Sequence, residues 1–523
     1  MIRLGLSTNL SATGQPHPYR LLDAHPGLFD YVEYSAPLSL RAARKEAALF
    51  AEMEARLDAV PVLFHPVHLN LYGPELESAQ ALEDLAEQAR LVRTPWVSND
   101  VAWWHSKGRL FPGALYIAPP LDEQGLADAI VHAQHVQKGL GDVRLVLENP
   151  VIIAPRGPMH VLDFMRRMHE ATGLGLILDV GHLYSHQLVR GLAIDDGLDR
   201  FPLEAVVEIH IAGGVVIKNG ERRYYADDHP QPIPEVLFDL LKKIVPRASA
   251  LEAITYEGDG HTPAMALAYL SRIRKIAKEP RNPGIGSSSW VPGFLSDLSF
   301  SSDRAWTVFE RAFGAPQDAD DDAELDYRLA VLAERLDRSL PLTRALVCGT
   351  PETLRAFSAS PEMRDAFTGR GRELGDAFGR YVRRVVRETN DEVAAMVSAV
   401  EAWALEVIIP EKTAPISLTG ALVDLPRDLS LLQHARATLD RHQLGRARAT
   451  GGYALDVDAL REVAAQAPPG PWPALIKRKG SRVEIIGLTA EDREVLGRLD
   501  ALGEEDRERL DALYARGIIE VTE

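Results

Sequence analysis

Eight short apolar runs recur through the first 280 residues, with helix-like stretches between many of them. They are IRLGLS (2–7), YVEYSA (31–36), PVLFHP (61–66), WVSNDV (96–101), VRLVLEN (143–149), GLILDV (175–180), AVVEIHIAG (205–213) and AITYEG (253–258). Such runs suit strands buried on both faces. Residues 76–92, 123–139, 160–171 and 233–246 instead repeat apolar positions at three- and four-residue intervals, as amphipathic helices do. Eight strands alternating with helices predict an α/β fold, a (β/α)8 TIM barrel. A doubly wound sheet is the competing arrangement. It ordinarily uses fewer strands and a phosphate-binding glycine loop, and no GxGxxG or P-loop follows any run.

The chain has 523 residues, more than one core accommodates. Residues 1–279 read as the TIM-barrel domain, and the Pro-, Gly- and Ser-rich 280–294 as a linker. Residues 295–445 read as a helical domain, with amphipathic spacing at 323–340 and 370–388. Residues 446–523 read as a small α+β end. RVEIIGL (482–488) is its strand, Thr489 to Asp492 an approximate capping box, and 512–522 a helix, a glycine turn and a strand.

A net charge of −17 argues against a nucleic-acid partner, which requires a basic face. The single Cys348 rules out an intramolecular disulfide and zinc–thiolate sites. No apolar stretch reaches the roughly 18 residues of a membrane span, and the N-terminus lacks the pattern of a signal peptide. A cytoplasmic protein without membrane association is expected.

The polar residues bounding the runs form a pattern. His65, Asp100, Glu148 with Asn149, Asp179 with His182, and Glu257 close or follow runs three, four, five, six and eight, and His210 lies in run seven. In a barrel, strand C-terminal ends converge on one face. Fourteen of the sixteen histidines precede residue 280. With Asp227 and His229, these residues make a sulfur-free set of nitrogen and oxygen donors suited to iron, manganese or zinc. The set is too large for one tetrahedral ion, so two or three metals, with Glu148 bridging, are expected. Each residue has a plainer role open to it. His65 can be a buried, hydrogen-bonded histidine, Asp179 a helix N-cap, and Asp227-Asp228-His229 a solvated turn. Gly213-Gly214 can turn the chain or admit a substrate backbone.

The series LFHP (His65), LENP (Glu148), LDVGH (Asp179, His182), EIHIAGG (His210), DDH (Asp227, His229) and YEGDG (Glu257) resembles the multinuclear non-haem iron-dependent oxidative enzymes over about residues 1–275. That family was long without known function and has a xylose-isomerase-like barrel. The resemblance implies two or three iron ions, with a mixed-valence Fe(II)/Fe(III) pair, on His65, Asp100, Glu148, Asp179, His182, His210, Asp227, His229 and Glu257. Glu148, Asp179 and His182 are then the catalytic residues. Asn149, Gly213 and Gly214 support the site or touch substrate. It further implies dioxygen as co-substrate and a ribosomally made precursor peptide, oxidised at Cys, or at Asp or Asn, near its C-terminus. One motif departs from the family, which usually has Ser-Asp-His-Leu where this chain has Ser98-Asn99-Asp100-Val101. Asp100 adds negative charge and leaves the third metal open; His105 substitutes for the missing histidine only if its loop folds back.

The last segment loosely resembles the winged-helix-like elements that bind leader peptides by strand addition. A helical domain packing on the barrel, or forming a dimer, is the other reading. Two other functions fit the barrel: a zinc- or manganese-dependent sugar isomerase or phosphoester hydrolase, with Arg93 and Lys218 as candidate phosphate-binding groups, and a non-catalytic binding module.

Overall fold

The computed structural model describes residues 2–278 apart from 12–13, 47, 107–108, 111–115, 154 and 220–221, and parts of 325–521. By internal contacts the chain divides into Met1–Glu324 and Leu325–Glu523.

The first unit is the expected barrel. Its strands are β1 (Arg3–Thr8), β2 (Tyr31–Tyr34), β3 (Val62–Phe64), β4 (Trp96–Asp100), β5 (Arg144–Glu148), β6 (Gly175–Asp179), β7 (Val206–Ala212) and β8 (Ala253–Glu257). They are parallel neighbours in sequence order, and β1 closes on β8, with Arg3 opposite Ala253. The helices expected from spacing form as α4 (Ala79–Leu91), α5 (Glu123–Leu140), α6 (Val161–Thr172) and α8 (Glu235–Ile244). They join α1 (Pro18–Ala24), α2 (Leu40–Glu46), α3 (Phe50–Arg56), α7 (Val180–Arg190) and α9 (Pro263–Ala277). Side chains two apart on a strand share a face. Tyr31, Leu63, Trp96, Val146, Ile177 and Ala253 therefore fill the barrel floor as one apolar cluster. The next inward positions are Glu33, His65, Ser98, Glu148, Asp179 and Thr255, so the interior turns polar within one layer.

The segment after β7 differs from the sequence reading. Gly214–Asn219 and Arg222–Asp227 pair antiparallel, with Gly214 opposite Asp227. Asp227 thus ends a strand instead of sitting in a solvated turn. Alternation there is obscured because Tyr224 and Tyr225 are both buried, the second with no exposed surface.

The second unit contains helices Pro341–Val347, Pro351–Ser358, Pro361–Phe367 and Leu374–Thr389. The expected linker 280–294 lies outside the described residues, as does much of the helix expected over 323–340. The strand expected at 482–488 forms as Arg482–Gly487, the outer member of a three-stranded antiparallel sheet with Pro469–Lys479 and Ala421–Arg427. Ile416–Leu418 pairs with Ile519–Val521. These pairings cross the 445/446 division expected from sequence. The capping box is complete: Thr489 Oγ1 accepts from Asp492 N at 3.0 Å and Asp492 Oδ2 accepts from Thr489 N at 2.9 Å. Leu475, Leu488, Val495, Leu496, Leu513, Ile518 and Ile519 form a small core there.

Candidate metal centre

All nine ligand candidates meet at the C-terminal mouth of the barrel. Glu148 on β5 is central: its Oε2 lies 3.7 Å from His65 Nδ1, and its Oε1 lies 3.1 Å from His210 Nδ1 and 3.8 Å from His182 Nδ1. Asp100, in register with Glu148 on β4, places Oδ1 3.5 Å from His182 Nδ1. Glu257 Oε1 lies 3.8 Å from His210 Nδ1, and its Oε2 lies 3.9 Å from His229 Nε2. Asp227 Oδ2 stands between His182 Nε2 at 3.5 Å and His229 Nε2 at 3.1 Å. Donor atoms within 4.8 Å of one another include the sets His65–Asp100–Glu148, Glu148–Asp179–His182 and Asp179–His210–Glu257.

The donor set fits bound cations. Asp100 Oδ1, Glu148 Oε2, Asp179 Oδ2, Asp227 Oδ1 and His210 Nδ1 are buried and have no hydrogen-bond partner. Orphaned buried polar atoms cost free energy unless something meets them. Among the described residues no lysine or arginine pairs with any of the nine. Arg93 pairs instead with Asp58 at 2.7 Å, and the Lys218 side chain lies outside the described residues.

Electrostatics follow from that packing. Burial, then the neighbouring Glu148, lifts the Asp100 carboxyl well above the usual range. Burial lifts Glu257 likewise and Asp179 to about 6. Burial opposes charge on Glu148 too, yet His210, His65 and His182 hold it at about 2. Against the same burial, the surrounding carboxylates raise His182, His210 and His229 well above an ordinary imidazole. Carboxylates and imidazoles thus share protons in this site, and a bound metal would displace protons from the groups that hold it.

A family model described as "RiPP precursor modification enzyme MbnB/TglH/ChrH" matches residues 14–278. The chain belongs to that family. A UPF0276 protein of Bordetella parapertussis is 30% identical over 216 residues, covering 41% of this chain and 73% of that protein. One of Streptomyces avermitilis is 28% identical over 206 residues, and there the match spans only 42% of the relative's length and 38% of this chain. Endonuclease IV from Thermus thermophilus aligns with 52% of this chain and 98% of its own at 23% identity, with a TM-score of 0.35.

In this member of the RiPP precursor modification family, the remaining candidates pack against the chain itself. Asn149 is fully buried and grips Asp179 with both ends of its amide: Oδ1 accepts from Asp179 N at 2.9 Å and Nδ2 donates to Asp179 O at 3.1 Å. Its backbone carbonyl lies 2.8 Å from His182 Nδ1, which turns Nε2 toward Asp227. Gly213 admits the chain's own backbone, since a Cβ there would lie 1.8 Å from Gln231 O. Gly214 makes room for Tyr225, whose ring would stand 2.3 Å from a Cβ. His105 does not substitute for a histidine at position 100. Its Nε2 lies 2.8 Å from Glu77 Oε1 and its Nδ1 3.4 Å from Asn70 Nδ2, both in the segment between β3 and α4.

Sequence reasoning overlooked Glu33 and Glu208, both with no exposed surface. Each is a carboxylate in the middle of an apolar run, and Glu208 lies two residues before His210 on the same strand face, which is the signal that could have marked it.

Proposed function

We propose that this chain is a multinuclear non-haem iron oxidase that uses dioxygen to modify a ribosomally made precursor peptide at Cys, or at Asp or Asn, near the peptide's C-terminus. The observation that carries this reading is the convergence of nine nitrogen and oxygen donors, several with orphaned buried atoms, in a chain of the RiPP precursor modification family. Bound iron would supply the redox chemistry that couples dioxygen to substrate oxidation. His65, Asp100 and Glu148 would hold one ion, and Asp179, His210 and Glu257 a second, with Glu148 beside both. His182, Asp227 and His229 offer a third position. Asn149 orients His182 and Asp179, so those ligands are set before substrate arrives. The apolar floor of Tyr31, Trp96, Val146 and Ile177 excludes water from beneath. A peptide thiol or carboxyl entering at the barrel mouth meets a site whose own positive side chains are imidazoles.

In the second unit, the strand Arg482–Gly487 pairs on one side only among the described residues. That open edge supports leader-peptide binding by strand addition.

The deciding experiment is elemental analysis and Mössbauer spectroscopy of anaerobically purified protein, followed by oxygen-consumption assays with a short Cys-containing peptide encoded beside the gene. Two or more irons per chain and peptide-dependent oxygen uptake are expected. Tight stoichiometric zinc or manganese without oxygen uptake would overturn the oxidase.

A further inference from the structure

Beneath the nine ligands, two buried carboxylates face the same imidazole. His210 Nε2 lies 3.2 Å from Glu33 Oε2 and 3.5 Å from Glu208 Oε1, while its Nδ1 faces Glu148 and Glu257. We propose that Glu33 is a positioning residue of the metal centre: it accepts the Nε2 proton of His210 and so commits Nδ1 to the metal. The inference rests on the centre's being a metal site, and on neither the metal's identity nor the reaction.

A neutral imidazole has one lone pair and one N–H, and the partner of the N–H decides which nitrogen binds metal. Glu208 is already occupied. Its Oε2 accepts from Trp96 Nε1 at 2.8 Å, and its Oε1 accepts from Thr255 Oγ1 at 2.5 Å and from Tyr31 OH at 3.4 Å. Glu33 is not: neither oxygen has an aligned hydrogen bond, and the residue has no exposed surface. A buried carboxylate without a donor is costly, and His210 is the donor within reach. The two are close but misaligned, since both nitrogens of His210 also lack an aligned partner. At 3.2 Å, a rotation of the ring is all that the bond needs.

Glu33 could instead be a ligand itself, because it clusters with His65 and His210 within 4.8 Å. The position of His210 opposes that, because its Nδ1 faces Glu148 at 3.1 Å. Placing a metal beside Glu33 would draw that ring away from Glu148, or require His210 to bridge two ions as an imidazolate.

The test uses full-length protein loaded with Zn2+, which is diamagnetic. Long-range 1H–15N spectra of [15N]histidine-labelled wild type should show one ring, absent from H210N, with Nδ1 coordinated and Nε2 protonated. Chelator competition should show E33Q binding Zn2+ about 10- to 100-fold more weakly with the same number of ions at saturation. Coordination through Nε2 in wild type would overturn the proposal without any variant. So would loss of a whole ion in E33Q, which would make Glu33 a ligand, or affinity within twofold of wild type. Wild type that binds no metal would overturn the metal centre itself, and is told apart because E33Q plays no part in it.

Discussion

Asp179 holds the helix that carries His182. Its Oδ1 accepts from His182 N at 2.6 Å as the N-cap of α7, while Oδ2 is left buried and unpartnered in the metal centre. One carboxylate thus caps the helix and keeps an oxygen free for the role of ligand. Asn caps helices about as well as Asp but is a poorer metal ligand. D179N should therefore lose metal while its metal-free melting temperature stays near wild type. D179A should lose metal and about 0.5–2 kcal/mol of stability. Elemental analysis and thermal melts of both variants separate the roles.

Asp100 stands in register with Glu148, and two carboxylates side by side repel in a buried site. Replacing Asp100 by the neutral ligand usual at this place in the family should relieve that repulsion. D100H is expected to retain more metal per chain than wild type after identical dialysis, measured by elemental analysis. Equal or lower retention would show that Asp100 is the better ligand here.

At Gly213 the limit is steric. A Cβ 1.8 Å from Gln231 O and 2.7 Å from His229 O forces the segment bearing His229 outward. G213A should cost about 1–3 kcal/mol, the usual range for overpacking, and should also weaken metal retention. Urea melts of metal-free protein and chelator competition on loaded protein read the two effects.

On α7, one turn beyond His182, His186 sits where a charged imidazole is disfavoured. Burial and the neighbouring His160 ring, 4.5 Å away, push its pKa from 6.5 down to about 3. The unfolded chain then binds a proton that the native protein does not over that window. Stability should be fully present above pH 6.5 and be lost as pH falls toward about 3. H186Q should flatten this slope in urea melts of metal-free protein between pH 7 and 4. An unchanged slope would place the acid sensitivity elsewhere.

The barrel was legible because strands buried on both faces must be apolar along their length, and runs such as GLILDV admit little else. His65, Asp179 and Glu257 were legible because a charged or imidazole side chain ending such a run has few reasons to be there. Glu33 and Glu208 were not. For Glu33, a lone carboxylate inside an apolar run gives no sign of which way it points until the closed barrel turns it inward, while Glu208 is marked only by sharing a strand face with His210. The hairpin escaped as well: Gly213-Gly214 reads as a turn, and Arg222–Asp227 mixes charge with buried tyrosines that pack against the chain itself. In the second unit the capping box was readable since it is local, whereas the pairing of Ile416–Leu418 with Ile519–Val521 joins segments a hundred residues apart that no local pattern links.

The ligands run from His65 to Glu257, taken from the ends of β3 to β8 and from the hairpin between the last two. An incomplete chain cannot assemble them. A nascent barrel lacking its final strand lacks Glu257, and one with a misplaced hairpin lacks Asp227 and His229. Metal uptake would therefore act as a check on folding: an ion held by these residues would tie distant segments together only once the last strand has closed against the first, and would stabilise finished molecules alone.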